Sequence, residues 1–157
     1  MIDEVKNKPT WVPPSVVLPG VYAQNDRIGQ EWFAPAGLNS GGLTEVTEAK
    51  TRLTNLERDD LYENRINPIA TFPGQGVVVF GQKTLQGKPS ALDRINVRRL
   101  LINLRKFIAS SSRFLVFEQN NSALRSRFLN IVNPYMEQVQ ANAGLTAFRV
   151  VMDETIN

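Results

Sequence analysis

The chain has no cysteine and no histidine among its 157 residues. The first absence excludes disulfides and thiolate chemistry and leaves the redox compartment unread. The second removes the commonest general base and the commonest metal ligand together, and with them zinc sites of the His/Cys type. Charge is also scarce. Asp, Glu, Lys and Arg make up 21% of the chain and its net charge is +3, far from the excess expected of a protein that coats nucleic acid. No apolar run approaches membrane-spanning length, and the first residues lack the apolar stretch of a signal peptide. Hydrophobic residues, at 42%, are those of an ordinary globular domain long enough to bury a core.

What the chain does have is concentrated between Gly74 and Phe107. The run Val77-Val78-Val79-Phe80, set between Gly76 and Gly81, is short, apolar and β-branched, which predicts a strand buried on both faces. Pro89 and Ser90, with Asp93 at capping-box spacing from Ser90, predict the start of a long helix over 90–112. At about 100° per residue, that helix gathers Val97, Leu100, Leu101, Leu104, Phe107 and Ile108 into one apolar sector. The opposite sector holds Arg94, Arg98, Arg99, Arg105 and Lys106, with Ile95 and Ile102 among them. The isoleucines have two readings. Either they sit at the margin of the core, or they form the apolar centre of a docking face, basic at its edges, for an acidic partner.

Elsewhere the pattern is more broken. Residues 1–11 read as a lead-in segment. Pro13 and Pro14 suit the first turn of a helix, and Pro19-Gly20 should end or kink it, leaving Val21–Phe33 irregular with its aromatics packed inward. A loop follows over 34–42, then a short strand and a polar helical turn over Thr44–Leu56, and a further turn beginning at Leu61. Arg65–Phe72 reads as an extended piece leading into Pro73-Gly74. Past the long helix, Phe114–Phe117 is a second β-run and Phe148, Val150 and Val151 form a third. Between them Ser122 caps a second long helix, which Pro134 should kink or interrupt. This alternation predicts an α/β fold, with α+β as the alternative: a central mixed, partly parallel sheet packed by two long helices.

No constellation of residues supports catalysis. Gly74-Gln75-Gly76 precedes a strand and leads into no helix, the wrong order for a phosphate loop. Asp59-Asp60 and Asp153-Glu154 are neighbours in sequence rather than on a common helix face; either pair could ligate a hard cation, but a solvated loop end is the commoner use. Ser110–Ser112 have no activating base nearby, and Trp11, Tyr22, Trp32 and Phe33 are not interleaved with cations as a base-stacking platform would be. The expectation is no enzyme, with no catalytic residue, no metal ligand, no cofactor and no small-molecule substrate.

Several stretches resemble one family. FPGQGVVVFGQKTL (Phe72–Leu85) followed by DRINVRRL (Asp93–Leu100) is similar to the conserved C-terminal domain of contractile tail sheath proteins, of the T-even myovirus type. VPPSVVLPGVYAQNDRIGQEWFAPAG (Val12–Gly37) resembles the family's PPS…GVYA…APAG segment. Arg65–Pro68 resembles its GIN-type turn, Val116–Asn120 its VFEPN, and Phe148–Asn157 its V.CD..TN strand and loop. Gln119 stands where the family usually has proline, and Met152 where it often has cysteine.

The resemblance implies that residues 12–157 form the sheath inner domain, truncated at both ends relative to the family. It implies a structural motor. Sheath subunits stack as hexameric rings in a helical array around a tail tube and contract to drive the tube through the host envelope. Partners would be other sheath subunits, the tail tube protein, and baseplate and tail terminator proteins; localisation would be the virion, with the host cytoplasm during assembly. Neither membrane insertion nor nucleic-acid binding is expected, although a nucleic-acid module using the basic face of the 90–112 helix is the alternative reading. On the sheath reading Arg94, Ile95, Arg98, Arg99, Ile102, Arg105 and Lys106 would meet the tube. Phe148, Val150 and Met152 would form a sheet edge that takes a neighbour's strand.

Overall fold

The computed structural model describes residues 2, 3, 5 and 7–153. The chain divides into two compact units, residues 1–99 and 100–157. In the lead-in, β1 (Ile2–Asp3) and β2 (Lys8–Pro9) form a two-residue antiparallel ladder.

The first unit is built on a hairpin and a helix. α1 (Pro14–Ile28) starts with Pro14 in its first turn, where the missing N–H costs nothing. It does not stop at Pro19-Gly20, and the stretch expected to be irregular from Val21 is helical as far as Ile28. Pro19 removes only the bond to the carbonyl of Ser15, an exposed residue whose carbonyl water can satisfy. Val21 and Asn25, one turn apart, are the buried residues of this helix. Asn25 is polar, but its amide nitrogen donates to the carbonyls of Gln30 and Phe33 and so folds the chain back after the helix end.

α2 (Asn55–Glu63) begins with a capping box, Thr54 accepting from the Glu57 N–H while the Glu57 carboxylate accepts from the Thr54 N–H at 2.7 Å. The helix replaces the two separate turns expected around Leu56 and Leu61. β3 (Ile69–Phe72) and β4 (Gly76–Val79) then form an antiparallel hairpin in which Ile69 faces Val79 and Phe72 faces Gly76. Gly74 and Gly76 make the turn with φ of +75° and +77°, where a side chain would be strained.

β4 is hydrogen-bonded on both sides. Along its free edge run Gly41–Leu43, with the Leu43 N–H donating to Val77 and the Val79 N–H to Gly41. That approach requires glycine at 41, because a Cβ there would sit 2.5 Å from the Val79 carbonyl oxygen. Val77, Val78 and Val79 are consequently all buried, as their composition predicts, and Val21, Leu43, Val77 and Val79 form the core of the unit with Val17, Val46 and Ile69 packed on it. All strand pairing among the described residues is antiparallel, so the partly parallel sheet expected from the alternation of elements is not what forms.

The helix after the hairpin starts later than expected. Ser90 caps a short 3₁₀ turn over Ala91–Asp93 through the Leu92 N–H, and α3 (Ile95–Ser112) follows. The second unit begins inside α3. Leu100 and Leu104 are buried there, and α4 (Ser122–Ala141) buries Val132 and Val139. Tyr135 of α4 stacks on Phe107 of α3 at 3.7 Å between ring centres, and its hydroxyl donates to the Asn103 side chain at 2.6 Å. Pro134 does not interrupt α4; it frees the carbonyl of Asn130, an exposed residue.

Two expected strands are absent. Arg113–Leu115 is a 3₁₀ turn, and Phe117 is fully exposed with φ of +70°. Residues 147–153 carry no strand. A β-run needs a second backbone for its N–H and C=O groups, and among the described residues none lies alongside either run.

Candidate docking faces

The basic sector of α3 separates into two sets. Arg94 is half-buried, with its guanidinium donating to the Tyr62 hydroxyl and lying 3.3 Å from the Asp93 carboxylate. Ile95 is half-buried too, and its N–H pairs with the Gln82 carbonyl at 2.8 Å. Arg99 reaches both carboxylate oxygens of Asp26 at 2.6 Å and lies over the Tyr22 ring. These three hold the first unit together, and Ile95 follows the core-margin reading.

The remaining four form an outward face. Arg98, Ile102, Arg105 and Lys106 are all exposed at spacings of i, i+4, i+7 and i+8, which align them on one side of the helix. Three cations surround one isoleucine that is 44% exposed. Such a face has long, solvated side chains and one apolar contact at its centre. It can hold an acidic surface weakly and in a salt-dependent manner.

The second predicted site, Phe148–Met152, pairs with no other strand among the described residues. Phe148, Val150 and Met152 are half-buried, while Arg149, Val151 and Asp153 between them are exposed. This alternation has the period of a strand with one face packed and one face open.

Sequence reasoning missed a third surface. Asp59 and Asp60, expected at a loop end, lie on α2, where Leu56, Asp59, Asp60 and Glu63 share one exposed side at i, i+3, i+4 and i+7. Arg58, Leu61 and Tyr62 form the opposite, half-buried side. Arg58 stacks over Phe72, while Tyr62 also carries the Lys83 ammonium 3.9 Å above its ring. The signal was present as Thr54-x-x-Glu57, the capping box that starts the helix. That box also pulls the Glu57 carboxyl below its usual range, chiefly through the Thr54 N–H and then its hydroxyl.

The tail sheath protein of Vibrio phage KVP40 is 39% identical to this chain over 155 residues, 99% of the chain and 23% of that protein. The tail sheath protein of Enterobacteria phage T4 is 37% identical over the same length, 24% of its own. Residues 87–157 match the model of the phage tail sheath C-terminal domain. Over nearly its whole length the chain is similar to phage tail sheath proteins. It spans about a quarter of the length of these sheath relatives. Among solved structures, the contracted sheath complex of an extracellular contractile injection system, PVC, aligns with a TM-score of 0.81 at 29% identity, over 91% of this chain and 41% of that one. The contracted helical sheath of the anti-feeding prophage aligns with a TM-score of 0.80 at 28% identity, over 95% of this chain and 40% of that one.

Proposed function

We propose that this chain is the inner part of a contractile tail sheath subunit, with a structural role and no catalytic one. The observation that carries this is identity of 39% to a tail sheath protein over 99% of the chain. Its partners are then other sheath subunits in a helical stack of hexameric rings, the tail tube, and the baseplate and terminator proteins at the two ends. Its place is the virion, reached after assembly in the host cytoplasm.

The exposed face of α3 fits the tube contact. A sheath must hold its tube and later let go, and exposed ion pairs worth about 0–1 kcal/mol each suit that better than a wide apolar interface. Many weak contacts repeated along a tube add up, while each subunit detaches at little cost. The segment 148–152 fits a different contact: its alternating exposure, with no strand pairing among the described residues, suits one edge for a neighbour's strand.

The test is Arg98→Glu with Arg105→Glu in the full-length sheath protein. We expect an unchanged melting temperature and loss of sheath formation on isolated tubes at physiological salt. Normal sheathing by the reversed protein would contradict the tube assignment. A fall in melting temperature alone would make these arginines structural. Steep, salt-sensitive retention of DNA by the unaltered protein would favour the nucleic-acid reading instead.

A further inference from the structure

The outer side of α2 is the chemical complement of the outer side of α3. Leu56 is 81% exposed and shares its face with the carboxylates of Asp59, Asp60 and Glu63. On α3, Ile102 is 44% exposed and shares its face with Arg98, Arg105 and Lys106. Each face sets exposed aliphatic surface among three like charges over two to three helical turns, with Leu101 beside Ile102 on α3, and the signs are opposite.

The acidic face is also costly as it stands. Asp59 and Glu63 are four residues apart, a like-charge spacing that destabilises a helix by a few tenths of a kcal/mol. The face carries no cation of its own, since Arg58 turns inward onto Phe72. Asp60 accepts a bond from the neutral Asn64 amide, and the ion pairs Asp93–Arg94 and Asp26–Arg99 lie elsewhere. A merely solvated helix would gain from a lysine at any of these exposed positions.

We infer that the outer face of α2 docks on the outer face of α3 in a second copy of this chain. Leu56 would lie against Ile102, and the three carboxylates would face the three cations. The contact uses different surfaces on the two copies, so it is heterologous and propagates from copy to copy instead of closing a pair. One α3 face holds one acidic partner at a time. The tube and the α2 of a neighbour therefore compete for it, and release of one frees the face for the other. This inference rests on the subunit reading above, because it needs copies of the chain side by side.

The experiment uses three charge-reversed forms of this chain in low-salt sedimentation velocity. The first carries Asp59→Lys, Asp60→Lys and Glu63→Lys; the second carries Arg98→Glu, Arg105→Glu and Lys106→Glu; the third carries all six. The unaltered chain is expected to form short, concentration-dependent oligomers that dissociate as salt is raised. Each triple reversal alone should weaken association about tenfold or more, a loss of about 1.4 kcal/mol. An equimolar mixture of the two, and the six-fold reversal by itself, should recover it. Circular dichroism checks that each form is folded. A cysteine-free chain permits a second readout: Leu56→Cys and Ile102→Cys proteins, mixed under oxidising conditions, should yield the mixed disulfide in excess over either homodimer. A monomeric unaltered chain at low salt, or mixtures that fail to recover association, would overturn the inference. Tube assembly separates the two readings, since the α2 reversal in the full-length protein should leave tube binding intact. Loss of tube binding on α3 reversal with no effect of α2 on self-association would keep the sheath reading and reject this contact.

Discussion

Val77–Val79 and Phe148–Met152 have nearly the same character in sequence and opposite fates in the fold. Both are short apolar runs rich in valine. The first is hydrogen-bonded to Ile69–Phe72 on one side and to Gly41–Leu43 on the other, and all three valines are buried. The second is half-packed and forms no strand pairing among the described residues. What separates them is the supply of a second backbone. The hairpin turn at Pro73-Gly74-Gln75 delivers one partner to β4, and the glycine at 41 lets another come close. Nothing local does this for 148–152, whose neighbour in sequence is the long helix α4.

Placing a charge in each run should break the comparison most sharply. Val78→Asp puts a carboxylate at a site 1% exposed, and should cost more than about 4 kcal/mol and unfold the first unit. Val150→Asp should leave the melting temperature of the isolated chain within a few degrees, yet stop the full-length protein from assembling. Thermal melts and particle imaging read the two effects. Equal destabilisation by both substitutions would mean that 148–152 is already part of a completed sheet.

A smaller contrast lies within one helix. Arg99→Ala removes the contact of one guanidinium nitrogen with both Asp26 carboxylate oxygens and the packing on Tyr22, and should cost about 1–2 kcal/mol in a denaturant melt. Arg98→Ala, one residue earlier and exposed, should change stability by less than about 0.5 kcal/mol. If Arg98→Ala were the more destabilising, the division of the basic sector into a structural and a docking set would be wrong.

These contrasts mark what the residues revealed and what they did not. The buried strand at Val77–Val79 and the two long helices were legible because period and β-branching are local signals. So was the presence of a basic face on α3. Which of its seven residues stay outward was not legible, because Asp26 and Tyr62 lie 73 and 32 positions from Arg99 and Arg94. Pro19 and Pro134 read as helix breakers, and both are tolerated because the carbonyls they free belong to exposed residues. The acidic face of α2 was hidden by reading Asp59-Asp60 as a pair in sequence, when the capping box at Thr54 sets the helical phase that joins them to Leu56 and Glu63.

The smallest effect concerns that capping box. Glu57 titrates lower in the fold than in the unfolded chain, so its contribution is fully present above the ordinary carboxylate range and is lost as pH falls through its folded value. The difference in melting temperature between the unaltered chain and Glu57→Gln should therefore be largest near neutrality and shrink in acid. A difference that grows on acidification would contradict this assignment.

Hydrogen exchange in the full-length protein, before and after assembly into sheath, tests the account most directly. In free subunits the amides of Val77–Val79 should exchange only through global unfolding, while those of 148–152 exchange nearly as fast as an open chain. On assembly the second set should slow by about a hundredfold or more, as a neighbour's strand pairs with it, and the first should hardly change. Protection at 148–152 equal to that at Val77–Val79 before assembly, or exchange at 148–152 that assembly leaves untouched, would contradict the account.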